Sequence, residues 1–269
     1  MVNSESTAFV ATSDVVKRDP LGHVAQWQSG SVMKLSVAGS IPVVLSNQEV
    51  GGKSQPMFGA RGLCDSSSMT VENRESFFLR LYPFFSPKVL RDIELAYILA
   101  KAAHRSQTRK ELDAHGEPVR YFEHVRRATL IGIDLAQIVR PDTVIASILH
   151  DGIEDTRDLR PEMIEHVFGA DVCGIVKVLS KDPKEGYLDR FYVCTDWRPY
   201  FVKACDRLDN LRSLAGSPAE FRRKQVAETR DKYFRLFDRM VTLTPEEYRD
   251  GTRRLREEIT KTTSEVPLN

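Results

Sequence analysis

The chain has 269 residues, 41% of them hydrophobic, with 39 basic side chains set against 38 acidic ones. That length supports one sizeable core or two small ones, and the near-neutral balance excludes the broad basic footprint of a general nucleic-acid binder. Four cysteines, at positions 64, 173, 194 and 205, form no C-x-x-C pair and read as reduced thiols of a cytoplasmic protein. No apolar run approaches the roughly 18 residues of a membrane span, so neither a membrane nor a nucleic acid is expected as a partner.

The chain changes character near residue 70. Residues 1 to 68 are rich in Ser, Gly and Val without a helical period, and three readings stay open for this 1–70 segment: disorder, a small β element, or sequence that is not native coding. The last arises because Gly22 through Val43 resembles peptides translated across transfer-RNA genes, which would move the start to Met57 or Met69. From 75 to 265 a single helical domain is expected. Pro87 to Lys101 opens with Ser86 as N-cap and Pro87 at the first helical position. Tyr121-Phe-Glu-His124-Val-Arg-Arg-Ala128 starts a second helix, and Pro141 leads into a third, whose apolar run Val144 to Leu149 ends in His150-Asp151. Arg160-Pro161 opens another helix with Gly169 near its end, Asp171 to Leu179 is short and apolar, and Trp197 to Leu214 follows. Residues 217 to 241 and 245 to 262 are long, charged and amphipathic, with solvated outer faces and an oligomer contact left open. Strand signals are almost absent, which predicts an all-α fold.

The chemistry concentrates at His150-Asp151-Gly-Ile-Glu154-Asp155, at the rim of that apolar helix. One His-Asp pair cannot complete a metal site, and the further ligands should come from other helices: His124 upstream and Asp206 downstream. Alone, His124 reads as a packed or capping residue and Asp206 as a cap or ion-pair partner; their order, spacing and apolar framing make the set. Imidazole and carboxylate without cysteine suit Mn²⁺, Fe²⁺ or a catalytic Zn²⁺. Were the helix to continue past Asp151, Glu154 would share a face with His150 and Asp155 with Asp151, placing two carboxylates to align a water and take its proton. Such a site needs cations, and among Arg105, Arg109, Lys110, Lys181, Lys184, Arg198, Lys203, Arg207 and Arg212 the strongest candidates for holding phosphates are Arg109, Lys110 and Lys203. Asp189 and Asp196 read as helix caps.

The motifs Ala102-Ala-His104-Arg-Ser-Gln107-Thr-Arg109-Lys110, Gly116-Glu-Pro118, Tyr121-Phe-Glu-His124, Leu149-His150-Asp151-Gly-Ile-Glu154-Asp155-Thr156 and Val202-Lys203-Ala-Cys-Asp206-Arg207-Leu-Asp209-Asn210 resemble, in this order, the HD-type phosphohydrolases, and among them the RelA/SpoT-type (p)ppGpp hydrolase domains. The resemblance covers about residues 90 to 215. It implies an HD-domain helical bundle, His124, His150, Asp151 and Asp206 as ligands of Mn²⁺ or another divalent ion, and Glu154 and Asp155 as the pair that handles the attacking water. It also implies Arg109 and Lys110 near base and phosphates and Asn210 near the ribose. The implied reaction removes the 3′-pyrophosphate of guanosine tetra- or pentaphosphate. Two rival readings are an HD nucleotidase acting on another nucleotide and an HD domain that binds without turnover. The chain departs from the family pattern in three places: Glu111-Leu-Asp-Ala-His115 is inserted, Ser106 stands for a usual Gly, and Asp209 for a usual His. These differences are expected on the nucleotide side of the pocket, away from the metal.

Overall fold

The computed structural model describes residues 73–269, together with the backbone of a short antiparallel pair, β1 (Lys17–Arg18) and β2 (Val24–Ala25). The readings made for residues 1–70 otherwise lie outside the described residues. The first helix of the main unit, α1 (Arg74–Leu81), is closed by a reciprocal cap in which Asn73 accepts from the Ser76 amide at 2.9 Å and Ser76 Oγ accepts from the Asn73 amide at 3.1 Å. Next, α2 (Pro87–Ala103) begins with Ser86 and Pro87 in the expected roles.

Among the described residues from 73 onward the one departure from helix is a hairpin, β3 (Thr108–Leu112) paired antiparallel with β4 (Pro118–Arg120). Its turn contains most of the inserted segment. Asp113 closes it, its side chain accepting from the His115 and Glu117 amides at 2.8 and 2.9 Å, and Gly116 supplies a left-handed φ of +82°. No apolar alternation announces these strands, because both faces are wet or polar.

The helical series then resumes with α3 (Tyr121–Leu130), which runs into a π-helical turn over Ile131–Leu135. It is followed by α4 (Pro141–Leu149), the single turn α5 (Gly152–Asp155), α6 (Pro161–Phe168) and α7 (Ala170–Leu179). Then come α8 (Tyr187–Val193), α9 (Arg198–Arg212), and the run α10 (Ala219–Glu228), a π-turn at Thr229–Tyr233, and α11 (Phe234–Leu243), closed by α12 (Glu246–Glu265). Among the described residues no helix is long and apolar enough to cross a membrane.

The centre of the bundle is α9, packed by α3, α4, α7, α11 and α12. From Pro199 to Asp209 every residue is buried, Lys203, Asp206, Arg207 and Asp209 included. A helix with that many charges is placed at the centre of a core only where the charges are paired, since an unpaired buried charge costs several kcal/mol. Apolar side chains such as Phe77, Tyr97, Ile148, Leu149, Ile164, Tyr200 and Leu208 form the single core around it.

Close packing of α12 on the exit of the first π-turn is set by Gly251, where a β-carbon would stand 2.2 Å from the Ala136 carbonyl oxygen. Alanine gains roughly 1 kcal/mol of helix propensity over glycine, but a backbone oxygen cannot yield as a side-chain tip can, and overpacking costs about 1–3 kcal/mol. Gly251→Ala should therefore lower the midpoint of equilibrium denaturation; an unchanged or higher midpoint would show that the helix moves away freely.

Candidate metal centre and active site

Three helices bring the four expected ligands together. His124 sits in the first turn of α3, His150 and Asp151 follow the last turn of α4, and Asp206 lies mid-way along α9. All four are buried, and one ligand atom from each falls within 4.8 Å of the others. His124 Nε2 lies 3.1 Å from Asp206 Oδ1 and 3.8 Å from Asp151 Oδ2, and His150 Nε2 lies 2.9 Å from Asp151 Oδ2.

Both imidazoles are oriented from behind. His124 Nδ1 is 2.7 Å from Asp209 Oδ2, and His150 Nδ1 is 2.7 Å from the Ser147 carbonyl oxygen. Carbonyl and carboxylate oxygens only accept, so each Nδ1 carries a proton, and each Nε2 is left facing the carboxylates, where a cation can take the place of its proton. His150 Nε2 is buried yet makes no well-formed hydrogen bond within the protein. Two Nε2 atoms aligned beside two carboxylates fit a divalent cation, and this group of side chains can hold one.

Charge is balanced locally. Burial opposes ionisation of Asp206, but Lys203 and the two imidazoles outweigh it and hold its carboxyl well below the usual range. Lys203 Nζ donates to Asp206 Oδ2 at 2.7 Å and Asn210 Nδ2 to Oδ1 at 2.5 Å. Burial alone would lower the His150 pKa; Asp151 and Asp206 reverse that and push it up to about 10.

The helix does not continue through the acidic pair. After α4 ends at Leu149, His150 and Asp151 form a turn and α5 restarts at Gly152. The expected neighbourhood of Asp155 and Asp151 is nonetheless present, and Glu154 joins it, the three carboxylates approaching one another within 4.8 Å. Glu154 is held by Lys181, whose backbone amide donates at 2.5 Å and Nζ at 2.6 Å. Asp155 stands at the rim, its pKa raised by partial burial and by the Asp151 and Glu154 carboxylates.

The basic residues separate. Arg109 faces the site, donating to Asn210 Oδ1 at 2.6 Å. Lys110 points to the opposite side of β3, where its Nζ lies over the Phe221 ring at 4.7 Å. Lys203 is buried beneath Asp206, in the position of a counter-ion and not of an open phosphate contact. Arg198 is taken up by Asp142 and Asp196. Asp196 accepts from the Arg198 amide at the start of α9, whereas Asp189 lies within the first turn of α8.

Sequence reasoning missed Tyr121. Its hydroxyl donates to Asp151 Oδ2 at 2.5 Å and lies 3.1 Å from Asp155 Oδ2, bridging a ligand carboxylate and the rim carboxylate. The signal was its place three residues before His124, hence on the same helix face. Behind it the His104 ring stacks at 4.8 Å, and Gln107 ties His104 to the Asp155 carbonyl. Asp209 was also misplaced: it contacts His124 on the metal side, not the nucleotide side, because one turn of α9 carries it to the same face as Asp206.

No protein-family model matches the chain. It is 35% identical over 138 residues to the Drosophila melanogaster guanosine-3′,5′-bis(diphosphate) 3′-pyrophosphohydrolase MESH1, covering 49% of this chain and 72% of that protein. It is 31% identical over 163 residues to the bifunctional (p)ppGpp synthase/hydrolase SpoT of Escherichia coli, covering 56% of this chain but only 22% of that much longer relative. A solved structure described as a metazoan ortholog of SpoT that hydrolyses ppGpp superposes with a TM-score of 0.48 at 27% identity, over 69% of this chain and 99% of the other.

A divalent ion held only by the folded state stabilises it by about 2.7 kcal/mol at a hundred times its dissociation constant. Adding Mn²⁺ to chelator-treated protein should raise the thermal midpoint, and Asp151→Ala should abolish that rise while remaining folded. An equal rise in the variant would remove Asp151 from the ligand set.

Proposed function

The chain belongs to the HD-type alarmone hydrolases, the family of MESH1 and the SpoT hydrolase, and from that premise we propose that it is a metal-dependent (p)ppGpp 3′-pyrophosphohydrolase. The observation that carries the reading is the convergence of His124, His150, Asp151 and Asp206 from three helices beside a second carboxylate pair. The reaction breaks the bond between the ribose 3′ oxygen and phosphorus; water supplies the hydroxyl to phosphorus, its proton goes to the ribose oxygen, and GDP or GTP leaves with pyrophosphate.

Mn²⁺ is the ion this reading favours, and when bound it would lower the pKa of a water and stabilise charge on a phosphoryl oxygen. The remaining work falls to the chain's own groups. Glu154 and Asp155 align the water and take up its proton. Tyr121 holds Asp151 and Asp155 in register, and Lys181 holds Glu154 in place through its amide and Nζ. Arg109 and Asn210 form the open edge that receives the nucleotide. The buried and half-buried thiols Cys173, Cys194 and Cys205 are unpaired, which supports a reducing, cytoplasmic setting.

The test is incubation with Mn²⁺ and ppGpp, with products separated by anion exchange. GDP and pyrophosphate should form and chelator should stop the reaction. Glu154→Gln should keep metal-dependent stabilisation while losing roughly 10²–10⁴ in turnover, the range for a general base. Tyr121→Phe removes a hydrogen bond to charged groups worth about 1.5–3 kcal/mol and should lower kcat more than it changes KM. Metal binding without ppGpp turnover would redirect the assay to other nucleotides, and full activity in Glu154→Gln would exclude it as the base.

A further inference from the structure

We propose that Asp209 is a positioning residue of the metal centre, tied through Arg127 to Glu111 of the β3–β4 hairpin, where the inserted segment begins. The inference rests on the reading of His124 as a metal ligand and extends it to side chains that touch neither metal nor substrate.

The two imidazoles are held by unlike partners. His150 donates Nδ1–H to a neutral backbone carbonyl, that of Ser147, while His124 donates to the ionised carboxylate of Asp209 at 2.7 Å. A carboxylate behind an imidazole fixes its tautomer and raises the basicity of the opposite nitrogen more than a carbonyl does. Asp209 is 3% exposed, so its charge needs a partner of its own. Arg127, on the same helix as His124, provides it: Nε donates to Asp209 Oδ1 at 2.8 Å and one terminal nitrogen to Oδ2 at 3.2 Å. That same nitrogen donates to Glu111 Oε2 at 2.7 Å. Glu111 and Arg109 occupy alternate positions of β3 and so face the same way. Arg109 donates to Asn210, and Asn210 to Asp206.

One face of the hairpin is thereby connected to two ligands by two hydrogen-bonded routes, Glu111 to His124 and Arg109 to Asp206. Two of the places where the chain leaves the family pattern, the inserted Glu111–His115 segment and the aspartate at 209, meet at Arg127. The carboxylate at 209 needs a guanidinium, and the hairpin glutamate holds that guanidinium in place.

The experiment is titration of chelator-treated, full-length protein with Mn²⁺, the free ion followed by electron paramagnetic resonance, alongside the thermal midpoint of each metal-free variant and the ring ¹⁵N shifts of His124. Asp209→Asn keeps the shape and removes the charge; it should weaken Mn²⁺ binding by roughly 10- to 100-fold, the usual cost of losing a partner behind a ligand. The His124 ring ¹⁵N shifts should change between wild type and Asp209→Asn, reporting the loss of the charged contact at Nδ1. Glu111→Gln should weaken binding in the same direction, and its effect should not add to that of Asp209→Asn. A purely structural Asp209 would lower the thermal midpoint but leave Mn²⁺ affinity within about twofold of wild type, and that result overturns the proposal. If Asp209→Asn does not fold, Arg127→Met stands in, with wild-type affinity again overturning the inference. His124→Ala serves as the reference: undiminished Mn²⁺ binding there would overturn the metal-site reading itself, whereas its loss beside an unaffected Asp209→Asn would overturn only the role given to Asp209.

Discussion

Burial of the Asp206 carboxylate is the constraint around which the rest of the bundle is arranged. At 4% exposure an ionised carboxylate has lost its water, and leaving it unpaired would cost several kcal/mol. Lys203, Asn210 and His124 answer it directly, and the first two come from its own helix at i−3 and i+4, so the turns on either side supply most of the compensation. Lys203 in turn lies against the rings of Tyr187 and Tyr233, which accept its charge as water would not be able to here. A helix as polar as α9 can run through the core because its charges are satisfied within one another's reach, while Tyr200, Phe201, Ala204 and Leu208 provide the apolar packing.

The second decisive feature is the break after Leu149. His150 and Asp151 keep right-handed helical torsions across it, and the Asp155 amide still donates to the Asp151 carbonyl at 3.0 Å, so one further turn keeps Glu154 and Asp155 beside Asp151. Gly152 lets Leu159 pack close to this turn, since a β-carbon there would stand 2.6 Å from Leu159 Cδ1. Thr156 locks it, donating to the Gly152 carbonyl at 2.7 Å and accepting from the Leu159 amide. The short motif from His150 to Thr156 thus combines metal-ligand chemistry with the local geometry that aims the second pair of carboxylates.

The helical segments and the ligand set were legible in the chain because both rest on local or compositional signals. Ser86-Pro87, Pro141 and Arg160-Pro161 mark starts that chemistry at helix ends enforces, and an apolar run terminating in His-Asp has few structural uses. The hairpin was not legible: Thr108–Leu112 shows no apolar alternation, and its pairing is held by the Asp113 turn and by contacts to α3 and α9. Lys203 could be read as a cation but not as a buried one, since a lysine flanked by apolar residues serves equally well in either setting.

Sequence by itself determined which groups are available, their order, and the helices that carry them, because periodicity and capping act over a few residues. Only the tertiary structure decided which groups face one another. Asp209 belongs to the metal side because α9 turns it toward His124 from 85 residues away in the chain. Tyr121 bridges two carboxylates because α3 docks beside the turn after α4. Arg109 and Lys110, adjacent in sequence, part company because a strand sends neighbours to opposite faces. In each case the deciding term is the pairing of a buried or half-buried charge with a partner distant in sequence, which no local pattern encodes.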